Sequence, residues 1–352
     1  METIRIGLIG AGAVAQARHL PKLKAIAGVE LAMVWNRTLD KAEGVAEEFG
    51  FERAVADWHE IAESPDIDAV VIATPPGTHH EMTLASLAGG KHVLCQARMS
   101  RNLKEAQEMR DAAKASGKVT CLYPPQPGLK GDRTMLRLLN DEDYVGEIRE
   151  VRMVGMAAPS GSGAYHWRQD PDINGIHMLT MGMWVEVLNR WVGPATSLVA
   201  KSQHHTKQVN NLSGELIDAA VPDSLAIAAA LECGASATYH FSTEASFAGA
   251  HKIEIYGSKG ALVYTLFGDT IEGATVGMES MQPIEPDPDE IRDQTTDAEF
   301  IQAIREGTPV HPSFDEGVQY MEFCEAVGQS VYFNKVVDLP PDPLMATWGR
   351  TL

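Results

Sequence analysis

An apolar run from Ile4 to Ile9 passes without a break into Gly10-Ala11-Gly12-Ala13-Val14-Ala15, and few local patterns limit a fold as tightly. A β-rich hexapeptide, a glycine turn and the stretch Val14 to Leu20 read as strand, tight turn and helix. The demand behind the pattern is close approach, because backbone N–H groups reach the oxygens of a dinucleotide pyrophosphate only where no side chain intervenes. Gly10 and Gly12 meet that demand, and Ala15 fills the third position, where a small residue lets helix and strand pack closely. An ordinary glycine-rich βα turn is the competing reading. The strand before and the helix after favour the nucleotide site, with Gly10, Gly12, Ala13 and Val14 at the pyrophosphate.

Strand and helix alternate through the first third of the chain. Val29 to Trp35 reads as a second strand, Lys41 to Phe49 as a helix, Ala69 to Thr74 as a strand buried on both faces, Met82 to Ala88 as a helix and Lys91 to Cys95 as a short strand. Such alternation predicts a parallel sheet wrapped by helices, with ligands at the carboxyl ends of its strands. Near Leu122 the pattern changes. Ser224 to Leu231 and Ala235 to Phe241 flank Glu232-Cys233-Gly234, and Lys252 to Tyr256 and Ala261 to Leu266 flank Gly257-Ser258-Lys259-Gly260, so hairpins and an antiparallel sheet are expected. Asn174 to Val192 reads as one long helix, residues 201–223 as a polar excursion and Pro283 to Glu290 as a solvated acidic connector. Thr296 with Glu299 reads as a capping box opening another helix. The expected division is an α/β domain over 1–122 and an α+β domain over 123–352.

The 352 residues are long for one core, which agrees with two domains. A net charge of −19 disfavours nucleic acid and anionic membrane as partners, since both bind through Lys and Arg. No apolar stretch reaches the roughly 20 residues of a membrane span, and the N-terminus lacks the pattern of a secretory signal, so a cytoplasmic protein is expected. Four cysteines without CxxC spacing point to neither a disulfide framework nor zinc. The pairs His79-His80 and His204-His205 lack metal-ligand spacing, so no metal is expected.

Several landmarks fall in one order: the glycine turn, Asn36-Arg37-Thr38, Thr74-Pro75-Pro76 with His79, Gly90-Lys91-His92-Val93-Leu94-Cys95, Tyr144-Val145-Gly146-Glu147-Ile148, Gly307-Thr308-Pro309 and Pro312-Ser313-Phe314-Asp315-Glu316-Gly317. In this ordered set the chain resembles the Gfo/Idh/MocA family of oxidoreductases over nearly its whole length. The resemblance implies an N-terminal Rossmann dinucleotide-binding domain and a C-terminal α+β domain with an open, mostly antiparallel sheet whose face makes a homodimer or homotetramer. It also implies hydride transfer between NAD(P) and a hydroxyl or carbonyl of a sugar, polyol or related ring. Thr74, Pro75, Pro76, His79 and Gln96 would then line the nicotinamide half. At the end of the second strand an acidic residue would bind the ribose hydroxyls and repel a 2′-phosphate. Asn36 removes that charge and Arg37 can meet a phosphate, which favours NADP, with NAD possible.

The chemistry side departs from the family. Where the family writes Glu-Lys-Pro, this chain has Gln96-Ala97-Arg98, and on the long helix Thr180, Trp184 and Val187 stand at the family's Asp, His and following Asp. Neither Ala nor Val exchanges a proton, a threonine hydroxyl is too weak an acid, and an indole N–H only donates. His177, placed at i, i+3 and i+7 with Thr180 and Trp184 on one helical face, is the candidate replacement acid or base, with Tyr165 and His166 behind it. Arg98, Trp167, Arg168, Thr180 and Trp184 are candidate substrate contacts, through charge or aromatic packing. The leading reading is an NADP-favouring oxidoreductase with a non-standard active site. A silent NAD(P)-binding sensor or partner protein is the alternative, and a lyase or hydrolase using a tightly held cofactor is a further one.

Overall fold

The computed structural model describes residues 3–123, 129–159, 165–179, 181–211, 213–291 and 295–347. Its contacts form two units: Met1–Pro127 with Thr295–Val318, and Gly128–Gln294 with Gln319–Leu352.

In the first unit six strands, β1 (Ile4–Ile9), β2 (Val29–Trp35), β3 (Arg53–Val55), β4 (Ala69–Ile72), β5 (His92–Gln96) and β6 (Thr120–Tyr123), lie in the order β3-β2-β1-β4-β5-β6. Every pairing is parallel. β4 reads Ala-Val-Val-Ile and is buried at each position, as a strand covered on both faces must be. Helices α1 (Leu20–Ala25), α2 (Leu39–Phe49), α3 (His59–Glu63), α4 (His79–Ala88) and α5 (Leu103–Ser116) alternate with the strands. In this order the chain leaves β1 toward one edge and returns at β4 toward the other, which opens a crevice at the carboxyl ends of β1 and β4.

The second unit carries nine strands in the order β16-β15-β14-β13-β7-β12-β11-β8-β17. They are β7 (Ile148–Met156), β8 (Ala195–Gln203), β11 (Ser224–Leu231), β12 (Ser236–Ser242), β13 (Lys252–Gly257), β14 (Gly260–Thr265), β15 (Thr270–Thr275), β16 (Gln282–Ile284) and β17 (Val337–Asp338). All neighbours are antiparallel except β12 and β7. The polar excursion forms a separate hairpin, β9 (Gln208–Asn210) with β10 (Leu216–Asp218). Helix α6 (Asp132–Leu136) precedes β7, and helices α7 (Pro171–Asn174) and α8 (Met181–Val192) lie between β7 and β8. Helix α9 (Thr296–Glu306) belongs to the first unit, and α10 (Phe314–Phe333) begins there and ends in the second.

Four sequence expectations change. The helix expected over Asn174 to Val192 is broken: α7 stops at Gly175 (φ 66°), Leu179 also has positive φ, and α8 starts only at Met181. The side-chain amide of Asn174 donates to the carbonyl of His177 across that break, so backbone outside a helix is still satisfied. The acidic connector is not fully free, because Gln282–Ile284 pairs with β15 and Glu290 binds Arg137 at 2.6 Å. The N-cap of α9 is Thr295, one residue early, and its hydroxyl donates to Glu299 at 2.7 Å, while Thr296 is buried. Finally, residues 295–318 return to the first unit instead of staying with the second. Phe300 and Ile301 of α9 enter the core beside Ile6, Leu8 and Leu94, each contributing about 1.5–3 kcal/mol of burial.

Inside the second unit Asp132 ties α6 to α8. It accepts from the Trp191 indole at 2.8 Å and pairs with Arg190, whose other side meets Glu186 at 2.7 Å. Burial alone would lower the Arg190 pKa, but Glu186 and Asp132 hold it above its ordinary value. Removing one acid strands the indole and unbalances the guanidinium. Asp132→Ala should therefore cost about 3–5 kcal/mol of stability, seen as a lower midpoint in denaturant unfolding. A loss under about 1 kcal/mol would contradict the role assigned to this network.

Candidate functional site

The glycine turn lies where the sequence places it. Gly10 adopts φ 97° and donates to the carbonyl of Trp35 at 3.0 Å. A Cβ there would stand 2.6 Å from Thr74 Cγ2 and 2.8 Å from Thr74 N, so Gly10 is demanded by contact between the β1 and β4 exits. Gly12 is a different case. A Cβ on it would meet nothing within 4 Å, so packing within the protein does not explain the residue. Gly12, Ala13 and Val14 are exposed. The helix opens at Ala13 and runs through a π-helical turn, Ala15–His19, into α1. The N–H of Gln16 bonds back to the Gly12 carbonyl, and helical geometry leaves the donors before it without an acceptor within the helix. Val14, which heads the π-helical turn, provides no side-chain cap. Open donors, a helix N-terminus and the clearance at Gly12 fit a dinucleotide pyrophosphate.

At the β2 exit Asn36 donates to the carbonyl of Ala11 at 3.2 Å and accepts from the N–H of Arg37 at 2.8 Å. Its carboxamide is thereby spent on bracing the glycine turn. Arg37 and Lys41 are exposed, and no carboxylate pairs with Arg37 among the described residues.

At the β4 exit Pro75 is exposed, while Pro76 is buried and starts a 3₁₀ turn, Pro76–Thr78. The hydroxyl of Thr78 donates to that of Thr74 at 2.8 Å. His79 corrects the expectation that it lines the nicotinamide half. It is fully buried, and its two ring nitrogens face the carbonyls of Thr74 at 2.7 Å and Arg98 at 2.9 Å. Burial pushes the His79 pKa down against the upward pull of those oxygens. The side chain fastens the β4 exit to the β5 exit and has no atom left for a ligand.

Beyond β5, Gln96 and Ala97 are half-buried, and Ala97 donates its N–H to the Tyr123 carbonyl at 3.1 Å. Arg98 is only 2% exposed, which corrects its assignment as an open substrate contact. Gln96 Nε2 lies 2.8 Å from His19 Nε2, and His19 Nδ1 lies 2.6 Å from Asp297 Oδ1. Sequence reading missed His19 and Asp297. His19 follows Ala15 by four residues on the buried face of the first helix, which was a signal, whereas nothing local marks Asp297.

In the second unit the proposed acid/base face does not form. His177 lies in the broken segment before α8 and is 1% exposed, so it shares no helical face with Trp184. Thr180 lies outside the described residues. Trp184 is buried, not open to a substrate, packed against His251 at 6.2 Å and Phe267 at 5.9 Å between ring centroids. Val187 is fully buried. Tyr165 donates its hydroxyl to Asp170 at 3.1 Å, and burial with that carboxylate raises its pKa. His166 and Arg168 are exposed. The Arg168 guanidinium lies 4.3 Å over the Trp167 ring, a cation–π pair that orders the side chain. Among the described residues no group of three or more His, Cys, Asp or Glu is placed to hold a metal, and no helix is long and apolar enough to cross a membrane.

Comparison with known proteins places this geometry in a family. A model of the oxidoreductase family with an NAD-binding Rossmann fold matches residues 4–123, and one of the GFO/IDH/MocA C-terminal domain matches residues 134–263. An uncharacterized oxidoreductase of Rhizobium meliloti, ORF334, is 30% identical over 118 residues, which are 34% of this chain and 35% of that one. The aligned part thus spans about a third of that relative. A dTDP-3,4-didehydro-2,6-dideoxy-alpha-D-glucose 3-reductase of Saccharopolyspora spinosa is 26% identical over 93% of this chain and 97% of its own. A solved structure of levoglucosan dehydrogenase with NADH and L-sorbose superposes at TM-score 0.86 with 22% identity, covering 96% of this chain and 99% of that one. With both domain models matched over more than half its length, the chain belongs to the GFO/IDH/MocA oxidoreductase family.

Proposed function

We propose that the chain is an NADP-preferring oxidoreductase that interconverts a hydroxyl and a carbonyl on a sugar, polyol or related cyclic compound. The observation that carries this reading is the clearance at Gly12 beside uncapped helix donors, at the point where the strand order reverses. A nicotinamide dinucleotide bound there supplies a hydride donor or acceptor. Residues Gly10 to Val14 hold its pyrophosphate, and Thr74, Pro75 and Gln96 border its nicotinamide half. The levoglucosan dehydrogenase structure is a complex with NADH and the sugar L-sorbose, which supports the substrate class. NADP is favoured because Asn36 is spent on the turn and Arg37 stands exposed at the same strand end.

The proton of the alcohol needs another route than the family's. Ala97 carries no proton, His177 is buried, and Tyr165 holds its proton tightly beside Asp170. We assign the exchange to His166 or to water, with Trp167 and Arg168 on the substrate. Hydride transfer depends on positioning more than on side-chain chemistry. Turnover tests this: NADP reduction over a panel of sugars, polyols and cyclic diols is expected for at least one substrate. Cofactor binding with no turnover across the panel would instead support the silent sensor.

The outer face of the second unit's sheet carries small and apolar side chains. Val199, Ala226, Ala228 and Thr238 line a groove of about 390 Å³ together with Arg152, Lys201 and His240. We propose that this face pairs two copies of the chain in an isologous contact. Ala228→Glu would then bring two carboxylates together, and light scattering should show a dimer or tetramer in the parent becoming a smaller species. A monomeric parent would sink the idea.

Two further outcomes test the cofactor half. Gly10→Ala must adopt φ 97° against Thr74, which should cost about 1–3 kcal/mol of stability. Gly12→Ala should leave stability intact yet weaken NADPH binding by about tenfold or more, a difference of about 1.4 kcal/mol, read by fluorescence titration. Equal effects of the two substitutions on both readouts would remove the distinction. Asn36→Asp restores an acceptor that repels a 2′-phosphate, so the NADPH-to-NADH affinity ratio should fall by about tenfold. An unchanged ratio would place the specificity elsewhere.

A further inference from the structure

We propose that Asp297, His19 and Gln96 form a positioning relay, through which helix α9 sets the side-chain amide of Gln96 to bind the nicotinamide end of the cofactor. The inference rests on the cofactor reading above and adds to it the residues that aim one of its contacts.

His19 and Asp297 are both fully buried, 278 residues apart in sequence. A carboxylate only accepts, so the 2.6 Å contact from Asp297 Oδ1 to His19 Nδ1 puts a proton on Nδ1. On the other side of the ring, Gln96 turns its amide nitrogen toward Nε2 at 2.8 Å. An amide nitrogen only donates, so Nε2 must be the acceptor and the imidazole is the neutral tautomer protonated at Nδ1. The acid at one end of the relay thereby dictates which end of the Gln96 amide faces inward. Tyr123 fixes the ring plane, with its centroid 4.0 Å from that of His19.

The relay leaves Gln96 with an unused oxygen. Gln96 is the last residue of β5, half-buried, and its Oε1 has no hydrogen-bond partner among the described residues. With the nitrogen held by His19, that oxygen and the second N–H are presented at the carboxyl edge, one residue before Ala97. These are an acceptor and a donor suited to the carboxamide or ribose hydroxyls of a nicotinamide nucleotide. A glutamate at this position could not donate to Nε2, so the amide is the group that this tautomer requires. The relay also accounts for why α9 carries a buried aspartate into a nucleotide-binding unit.

Variants at residue 19 separate positioning from support. His19→Asn keeps a group near Nδ1 for Asp297 and loses the contact to Gln96, whereas His19→Gln reaches Gln96 and presents an oxygen acceptor. NADPH binding, titrated by fluorescence on the full chain, should weaken about five- to tenfold in His19→Asn and in Gln96→Ala, as for one hydrogen bond. It should recover to within about threefold in His19→Gln. The double variant His19→Asn/Gln96→Ala should bind no worse than Gln96→Ala alone. Equal losses in His19→Asn and His19→Gln, or losses that multiply in the double variant, would overturn the relay and leave His19 a structural residue. Nitrogen-15 spectra of His19 in the chain without nucleotide give a readout that needs no cofactor. Nδ1 protonated and Nε2 bare is expected, and a proton on Nε2 overturns the proposal. If the parent chain binds neither NADPH nor NADH, the cofactor reading falls, and with it the purpose given to Gln96.

Discussion

The turn after β1 lies so close to the exit of β4 that only glycine fits at residue 10. Gly10 N–H bonds to Trp35 of β2 while its missing side chain leaves room for Thr74, so one residue joins the exits of three neighbouring strands. The bracing continues outward from it. Asn36 donates to Ala11 in the turn, and His79 joins Thr74 to Arg98. Each contact is between parts of the backbone that would line a nucleotide, which is how a fold built from short strands can hold a long ligand without a dedicated side chain at every point. Rigid backbone donors at the end of a helix need little reorganisation when an anion arrives.

The bracing around Gly10 runs through backbone groups and through Asn36 and His79, and it asks for no ionisable side chain at Ala97. What remains on the first unit's edge is an amide, Gln96, aimed from behind by a buried acid and an imidazole. At this edge the chain presents a neutral amide, a group that binds and orients but exchanges no proton.

The Rossmann fold of the first unit was legible in the sequence because its determinants are local. Glycines at fixed offsets after an apolar hexapeptide, the Thr74-Pro75-Pro76 exit and the alternation of strand and helix each follow from a few adjacent residues, and the strand order agrees. The second half was less legible because it depends on contacts far apart in sequence. The segment from Asn174 to Val192 satisfies helical periodicity, yet Gly175 and Leu179 at positive φ divide it, and His177 falls into the break. His79 was expected at the ligand only through the family resemblance, but two carbonyls brought together by folding occupy its ring. Asp297 could not be found at all without its partner, since a lone aspartate near a helix start reads as a dipole or capping residue.

The central claim is that the glycine turn and the helix behind it hold the pyrophosphate of a nicotinamide dinucleotide. Hydrogen exchange of the backbone amides from Gly12 to Gln16, followed with and without saturating NADPH, tests it most directly. Marked slowing confined to this turn and to the β2, β4 and β5 exits is expected. Exchange at the turn that is unchanged by either NADPH or NADH would contradict it.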